Sequence, residues 1–247
     1  MDQFLREVLE LKRIKHAVKN LTKFELALWC GSLLTVSAAF LCAGQQSWLS
    51  LAASLIGVTA LIFVAKGDVI GQVLTVVFSV FYGVISFTFR YYGEMITYLC
   101  MTAPIAVMAV ISWARHPYQG EGAEVEVSRL RPAETAVMFL LAAAVTLIFC
   151  FILKAFRTAN LALSTVSITT SFLASYLTFR RSAWYAAAYV ANDLVLILLW
   201  VLAAAEDMNY LPMVVCFGMF FVNDLYGFVN WSRMKKAQRA NAEPGQA

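Results

Sequence analysis

Two stretches decide how this chain is read: "YVANDLVLILLW" over 189–200 and "FFVNDLYGFVNW" over 220–231. Each sets an Asn-Asp-Leu triplet among residues that prefer oil to water. An Asp costs about 2.5–3.5 kcal/mol at the centre of a membrane helix on insertion scales. A chain that places Asn192-Asp193 and Asn223-Asp224 there needs a reason, provided that these stretches cross a bilayer.

Composition settles that condition. Of 247 residues, 61% are hydrophobic and 14% charged, with a mean hydropathy of +0.72. Soluble domains carry about 25% charged residues and under 50% apolar ones. A chain this apolar cannot cover itself with polar surface, so it reads as an integral, all-α polytopic membrane protein. The net charge of +4 is modest and leaves no nucleic-acid footprint. The five cysteines, Cys30, Cys42, Cys100, Cys150 and Cys216, all lie in apolar stretches without CxxC spacing and read as packing residues. His16 and His116 stand apart from any Cys or carboxylate cluster, and no hydrolase, P-loop or zinc pattern occurs. The expectation is a non-enzyme that needs no metal or cofactor.

Apolar segments run at about 24–43, 47–65, 69–89, 94–114, 134–153, 159–179, 183–205 and 209–231. Each is near the ~20 residues that cross a ~30 Å hydrocarbon core at 1.5 Å rise. With eight spans and both ends inside, 16 of the 19 Lys and Arg residues fall inside, leaving only Arg90, Lys154 and Arg157 outside. That asymmetry predicts a cytoplasmic-membrane protein with both termini cytoplasmic. Ahead of the spans, Leu11, Ile14, Val18 and Leu21 recur at helical spacing, which suits either an interfacial helix or a solvated one.

The fourth and eighth segments both finish at Trp, Trp113 and Trp231, just before a basic stretch. On that register the second and sixth, and the third and seventh, fall into step. The predicted organisation is therefore an amphipathic N-terminus and extra helix over 1–46, a three-helix repeat over 47–114 and a cytoplasmic loop with linker helix over 115–158. A second three-helix repeat over 159–231 and a tail over 232–247 complete it. A three-helix unit reverses sides, so one linker helix lets two such units run parallel, an arrangement known in transporters with a site near the midplane.

The polar residues suit such a site. Asp193 lies about 15 Å into the seventh segment, near the midplane. Tyr189 and Asn192 can share a face, with Trp184 nearer the helix start. Asn223, Tyr226 and Asn230 form a stripe on the eighth segment, and Gln72, Ser79 and Tyr82 lie on the third. One reading is a polar, aromatic-walled cavity holding a small solute. The other is helix glue through interhelical hydrogen bonds, to which Asp224, about two turns from the helix end, is equally suited. Pro104 signals a kink. Glu94 at the start of the fourth segment suits the positive end of a helix dipole and needs no further role.

The stretch "FYGVISFTFRYYGEMITYLCMTAPIAVMAVISW" over 81–113, the helix from Trp184 to Asn192 and "VNDLYGFVNW" over 222–231 resemble the PnuC family of bacterial vitamin transporters. The resemblance covers about residues 47–235. It implies a SWEET-like fold of three, one and three helices, here with an N-terminal extra helix, and a homotrimer. It also implies facilitated diffusion of a small-molecule vitamin across the lipid bilayer, with trapping by a cytoplasmic kinase. Nicotinamide riboside is the first substrate to consider; thiamine or another vitamin of the family, or a membrane sensor that transports nothing, remain alternatives. A flat pyridinium cation suits Trp184 and Tyr189 as stacking partners. Gln72, Asn192 and Asn223 would hydrogen-bond the carboxamide and ribose. Tyr82 and Tyr226 would line the passage, and Asp193 would offset charge or hold helices together.

Overall fold

The computed structural model describes residues 15, 17–43, 48–88, 92–119, 124–158 and 160–242. Within lipid no water is available to satisfy the backbone, so a spanning segment must close its hydrogen bonds internally, as a helix does. Eight helices do so among the described residues: α1 (Lys23–Cys42), α2 (Trp48–Ala65), α3 (Val69–Thr88), α4 (Tyr92–Ala114), α5 (Pro132–Ala155), α6 (Leu161–Phe179), α7 (Tyr185–Glu206) and α8 (Leu211–Ala242). All eight are long and apolar enough to cross a membrane, and they match the eight expected segments within a few residues at most ends. The exception is α8, which continues through the expected tail as helix to Ala242. Of the proposed N-terminal amphipathic helix, Leu11 and Ile14 lie outside the described residues, while Val18 and Leu21 pack against the protein core.

Helix starts follow local chemistry. Thr22 caps α1 with a reciprocal box: its hydroxyl accepts from the Glu25 N–H at 3.2 Å, and the Glu25 carboxylate accepts from the Thr22 N–H at 2.6 Å. Pro132 opens α5, where its missing N–H leaves nothing unsatisfied. Within α4, residues Thr97–Thr102 form a π-helical turn directly before Pro104, and the Ala103 N–H reaches back to the Tyr98 carbonyl. The kink signal at Pro104 thus corresponds to a π-bulge, which rotates the preceding residues and turns Tyr98 into the protein interior.

Six helices form a ring: α2 packs on α3, α3 on α4, α4 on α6, α6 on α7, α7 on α8, and α8 back on α2. Two lie outside it. Helix α5 packs on α6, and α1 lies across α2 and α8. We call the end where α1 starts and α8 finishes the terminal end.

At the terminal end two turns repeat each other. After α2, the N–H groups of Lys66, Gly67 and Asp68 donate to the carbonyls of Ile62, Val64 and Phe63. After α6, Arg180, Arg181 and Ser182 donate in the same order to Tyr176, Thr178 and Leu177. Gly67 and Arg181, at matching places, have φ of 71° and 55°. The left-handed conformation comes freely to glycine; an arginine adopts it only where the surroundings enforce it. The connection between α4 and α5 ties both turns down, Val125 N–H donating to Gly67 and Ser128 N–H to Arg181. Gln238, on the extension of α8, clamps the same connection through Val127 N–H and the Val125 carbonyl.

Two tryptophans cross the ring in matching fashion. Trp113 on α4 donates its indole N–H to the Thr178 carbonyl of α6 at 2.8 Å, and Trp231 on α8 donates to the Val64 carbonyl of α2 at 2.9 Å. Both are wholly buried, and their rings meet at 5.3 Å between centroids. An indole N–H taken out of water needs a protein acceptor, and each finds one.

Helix α1 is held by polar contacts. Glu25 forms an ion pair with Lys66 at 3.1 Å and accepts a 2.6 Å hydrogen bond from the Tyr226 hydroxyl. The Asn223 amide donates to the Ser32 hydroxyl at 3.0 Å, and the Trp29 indole to the Thr59 hydroxyl at 3.1 Å.

Two outcomes test this reading. Trp113→Phe and Trp231→Phe each delete one interhelical hydrogen bond, worth about 0.6–2 kcal/mol in membrane bundles; thermal unfolding in detergent should fall by similar amounts, and a silent variant would break their equivalence. Tyr226→Phe removes the hydrogen bond to Glu25 and should loosen α1, seen as faster proteolysis near residue 43.

Candidate functional site

Inside the ring, about midway along the helices, lies a cavity of about 60 Å³. Small-molecule sites usually run to ~300–1,000 Å³, so this is a contracted form that must widen to admit a solute. Its acidic members are Asp193 of α7 and Asp224 of α8, both nearly inaccessible, with their carboxyl groups facing each other at close range. One oxygen of Asp193 has no hydrogen-bond partner. Among the described residues no Lys or Arg lines this cavity. Two carboxyls brought together away from water are held either by a proton shared between them or by a cation placed beside them.

The walls follow from helix periodicity. Helix α6 presents Ser164, Ser167, Ser171, Ser175 and Thr178, spaced three or four apart and all buried, along its ring-facing side. Asn192 accepts from Thr170 and Ser171 on that helix at 2.8 and 2.9 Å, leaving its amide N–H groups for another partner. The Tyr189 and Ser175 hydroxyls meet at 3.4 Å. Across the space, Gln72 and Ser79 come from α3 and Tyr98 from α4. Aromatic rings close it: Phe78 meets Tyr98 edge-on at 5.9 Å and Phe220 at 5.6 Å. A methyl group on Gly57 would collide with both Phe220 and Phe78, so the missing side chain is what lets these rings lie over α2.

Of the residues singled out from sequence, Gln72, Tyr189, Asn192 and Asp193 come together here. The other four are placed elsewhere. Trp184 caps the start of α7, is 58% exposed and packs beside Phe228. Tyr82 is buried further toward the far end, against Tyr98 at 4.4 Å and Phe217 at 6.1 Å. Asn223 and Tyr226 face α1 rather than the cavity, so for them the glue reading fits. Conversely, Asp224, left undecided by sequence, stands in the cavity. Tyr98 and the serine stripe of α6 went unnoticed in the sequence, although the stripe's three-and-four spacing was there to be counted.

A larger cavity of about 1200 Å³ opens at the terminal end between α1, α8 and the α4–α5 connection. It lies outside the ring, and Glu25 and Lys66 in its wall pair with each other.

Known proteins share this architecture. A crystal structure of the vitamin B3 transporter PnuC superposes with a TM-score of 0.81 at 24% identity, covering 93% of this chain and 99% of that one, a likeness of fold. The nicotinamide riboside transporter PnuC of Neisseria mucosa is 27% identical over 219 residues, covering 87% of this chain and 83% of that protein. Its namesake in Haemophilus influenzae is 21% identical over 192 residues, covering 77% and 82%. Residues 47–233 match the family model described as nicotinamide mononucleotide transporter, the six-helix ring included up to the last turns of α8, and the chain belongs to that family.

Proposed function

We propose that this protein carries nicotinamide riboside across the bacterial cytoplasmic membrane through the central cavity. The observation that carries this reading is the facing pair Asp193 and Asp224 in an aromatic-walled space that no Lys or Arg lines among the described residues. Nicotinamide riboside brings a flat pyridinium whose positive charge those acids can balance. Aromatic faces of Tyr98 and Tyr189 add about 0.5–2 kcal/mol each toward a desolvated cation. Gln72 and the Asn192 amide suit its carboxamide and ribose hydroxyls.

The family description names the mononucleotide, whereas the two relatives are named for the riboside. The chemistry of the cavity favours the riboside. A mononucleotide adds a phosphate, and a doubly charged anion beside two acids, with no Arg or Lys among the described lining residues, is repelled rather than held. The same electrostatics give phosphorylation by a cytoplasmic kinase its use: once phosphorylated, the vitamin cannot return by this route. Transport then needs no ion gradient.

The finer architecture belongs to the same proposal. Helices α2–α4 and α6–α8 are two parallel repeats joined by α5. The matched turns after α2 and α6 and the paired Trp113 and Trp231 bonds support this. The Lys and Arg bias supports a cytoplasmic terminal end. A homotrimer, implied by the family resemblance, would draw on apolar faces such as that of α5, where Phe139, Leu140, Leu147, Ile148 and Phe151 are exposed.

Uptake into proteoliposomes of the purified chain tests this. Labelled nicotinamide riboside should enter saturably with no imposed gradient and exceed the mononucleotide and thiamine by more than about tenfold, a difference of about 1.4 kcal/mol. Equal or better uptake of the mononucleotide would overturn the assignment, thiamine preference would move it to another vitamin, and no flux at all would favour a sensor. Asp193→Asn and Asp224→Asn should each cut uptake of the riboside at least about tenfold, while Tyr226→Phe should not.

A further inference from the structure

We infer that a second cavity, centred on Glu94 near the end of the bundle opposite the terminal end, is an entry subsite for the cationic solute, and that Leu196 is the partition between it and the central cavity. This rests on the transport reading above and adds a station to the route.

The second cavity measures about 90 Å³ and is formed where the start of α4, the end of α5, the start of α6 and the end of α7 converge. Glu94 enters it from α4. Glu94 as a whole is partly exposed, but its carboxylate oxygen Oε2 is closed off from solvent and finds no hydrogen-bond partner among the described residues. The dipole of a helix start, the role expected for this acid from sequence, leaves that oxygen unsatisfied. A buried carboxylate oxygen without a donor is costly. A passing cation removes that cost.

The other walls suit the same visitor. Trp200 of α7 offers an indole face, and Ser164 of α6 and Thr97 of α4 bring hydroxyl groups to the lining. Trp200 is itself stacked on Phe217 at 6.4 Å with the planes 14° apart. Phe217 also lines the central cavity, so the aromatic surface is continuous between the two spaces. Ser164 belongs to the serine stripe of α6 that runs on to Ser171 and Ser175 in the central cavity.

Among the described residues Leu196 alone lines both cavities. It sits one turn beyond Asn192 and Asp193 on α7 and is 1% exposed. Its γ-branched side chain can rotate without breaking a hydrogen bond, which an interposed polar group could not do as readily. A cation would therefore meet Glu94 first, pass Leu196 by a side-chain rotation and a small separation of α4 from α7, and reach the Asp193–Asp224 pair.

The test compares nicotinamide riboside with its neutral dihydro form, which keeps the shape but lacks the pyridinium charge. Initial rates of uptake into cells expressing the full chain are measured for wild type, Glu94→Gln, Glu94→Asp and Leu196→Trp. Glu94→Gln should raise the KM for the cation about tenfold with little change in maximal rate, and leave the KM for the neutral form unaltered. Glu94→Asp should restore part of the loss, which a misfolded protein would not. Leu196→Trp should cut the maximal rate for both forms. Unchanged KM for the cation in Glu94→Gln, or an equal rise for both forms, overturns the subsite. Should wild type carry neither form, the transport reading fails first and takes this inference with it.

Discussion

Keeping two carboxyls out of water is the constraint around which this protein is built. Asp193 and Asp224 lie on neighbouring helices, α7 and α8, and the tight contact between those helices brings the acids face to face. Such a pair is tolerated in a low-dielectric interior only with a proton or a cation between its members. A carrier can use that property directly. On the proposed function, a cationic solute takes the place of the proton that the pair shares when the site is unloaded.

The rest of the bundle holds the pair in place while leaving room to move. The ring is fastened at the terminal end by polar bonds. There two indoles bond carbonyls across it, and the α4–α5 connection is stitched to both turns and to α8. Toward the opposite end aromatic side chains meet between ring helices, as Tyr82 of α3 does with Tyr98 of α4 and Phe217 of α8, and Thr97 bonds within its own helix to the Gly93 carbonyl at 2.9 Å. Apolar contacts can slide, whereas buried hydrogen bonds must be broken.

Helix α1 adds a further layer. Its polar contacts with α2 and α8 span the place where the ring closes, and Glu25 gathers both Lys66 and Tyr226. Two residues that resembled solute ligands in the sequence, Asn223 and Tyr226, are consumed in this attachment. The reason is that α8 is covered on two sides, by the ring interior and by α1. A polar stripe at i, i+3 and i+7 shows which residues share a side of a helix. It carries no information on which of two buried sides that is.

The sequence by itself determined the number of spans, their approximate ends and the placing of Asn and Asp within apolar helices, because hydrocarbon thickness and the insertion cost of charge act on each segment separately. It also exposed the Trp113 and Trp231 correspondence and brought Gln72, Tyr189, Asn192 and Asp193 into consideration together. Tertiary structure alone decided that Asp224 joins Asp193 in the cavity. It alone placed the π-turn that swings Tyr98 inward, set Trp184 at the helix start, outside the central cavity, and left Glu94 looking into a second space. Each of those outcomes depends on the rotation of one helix about its axis relative to its neighbours, and that rotation is fixed by packing among residues far apart in the chain.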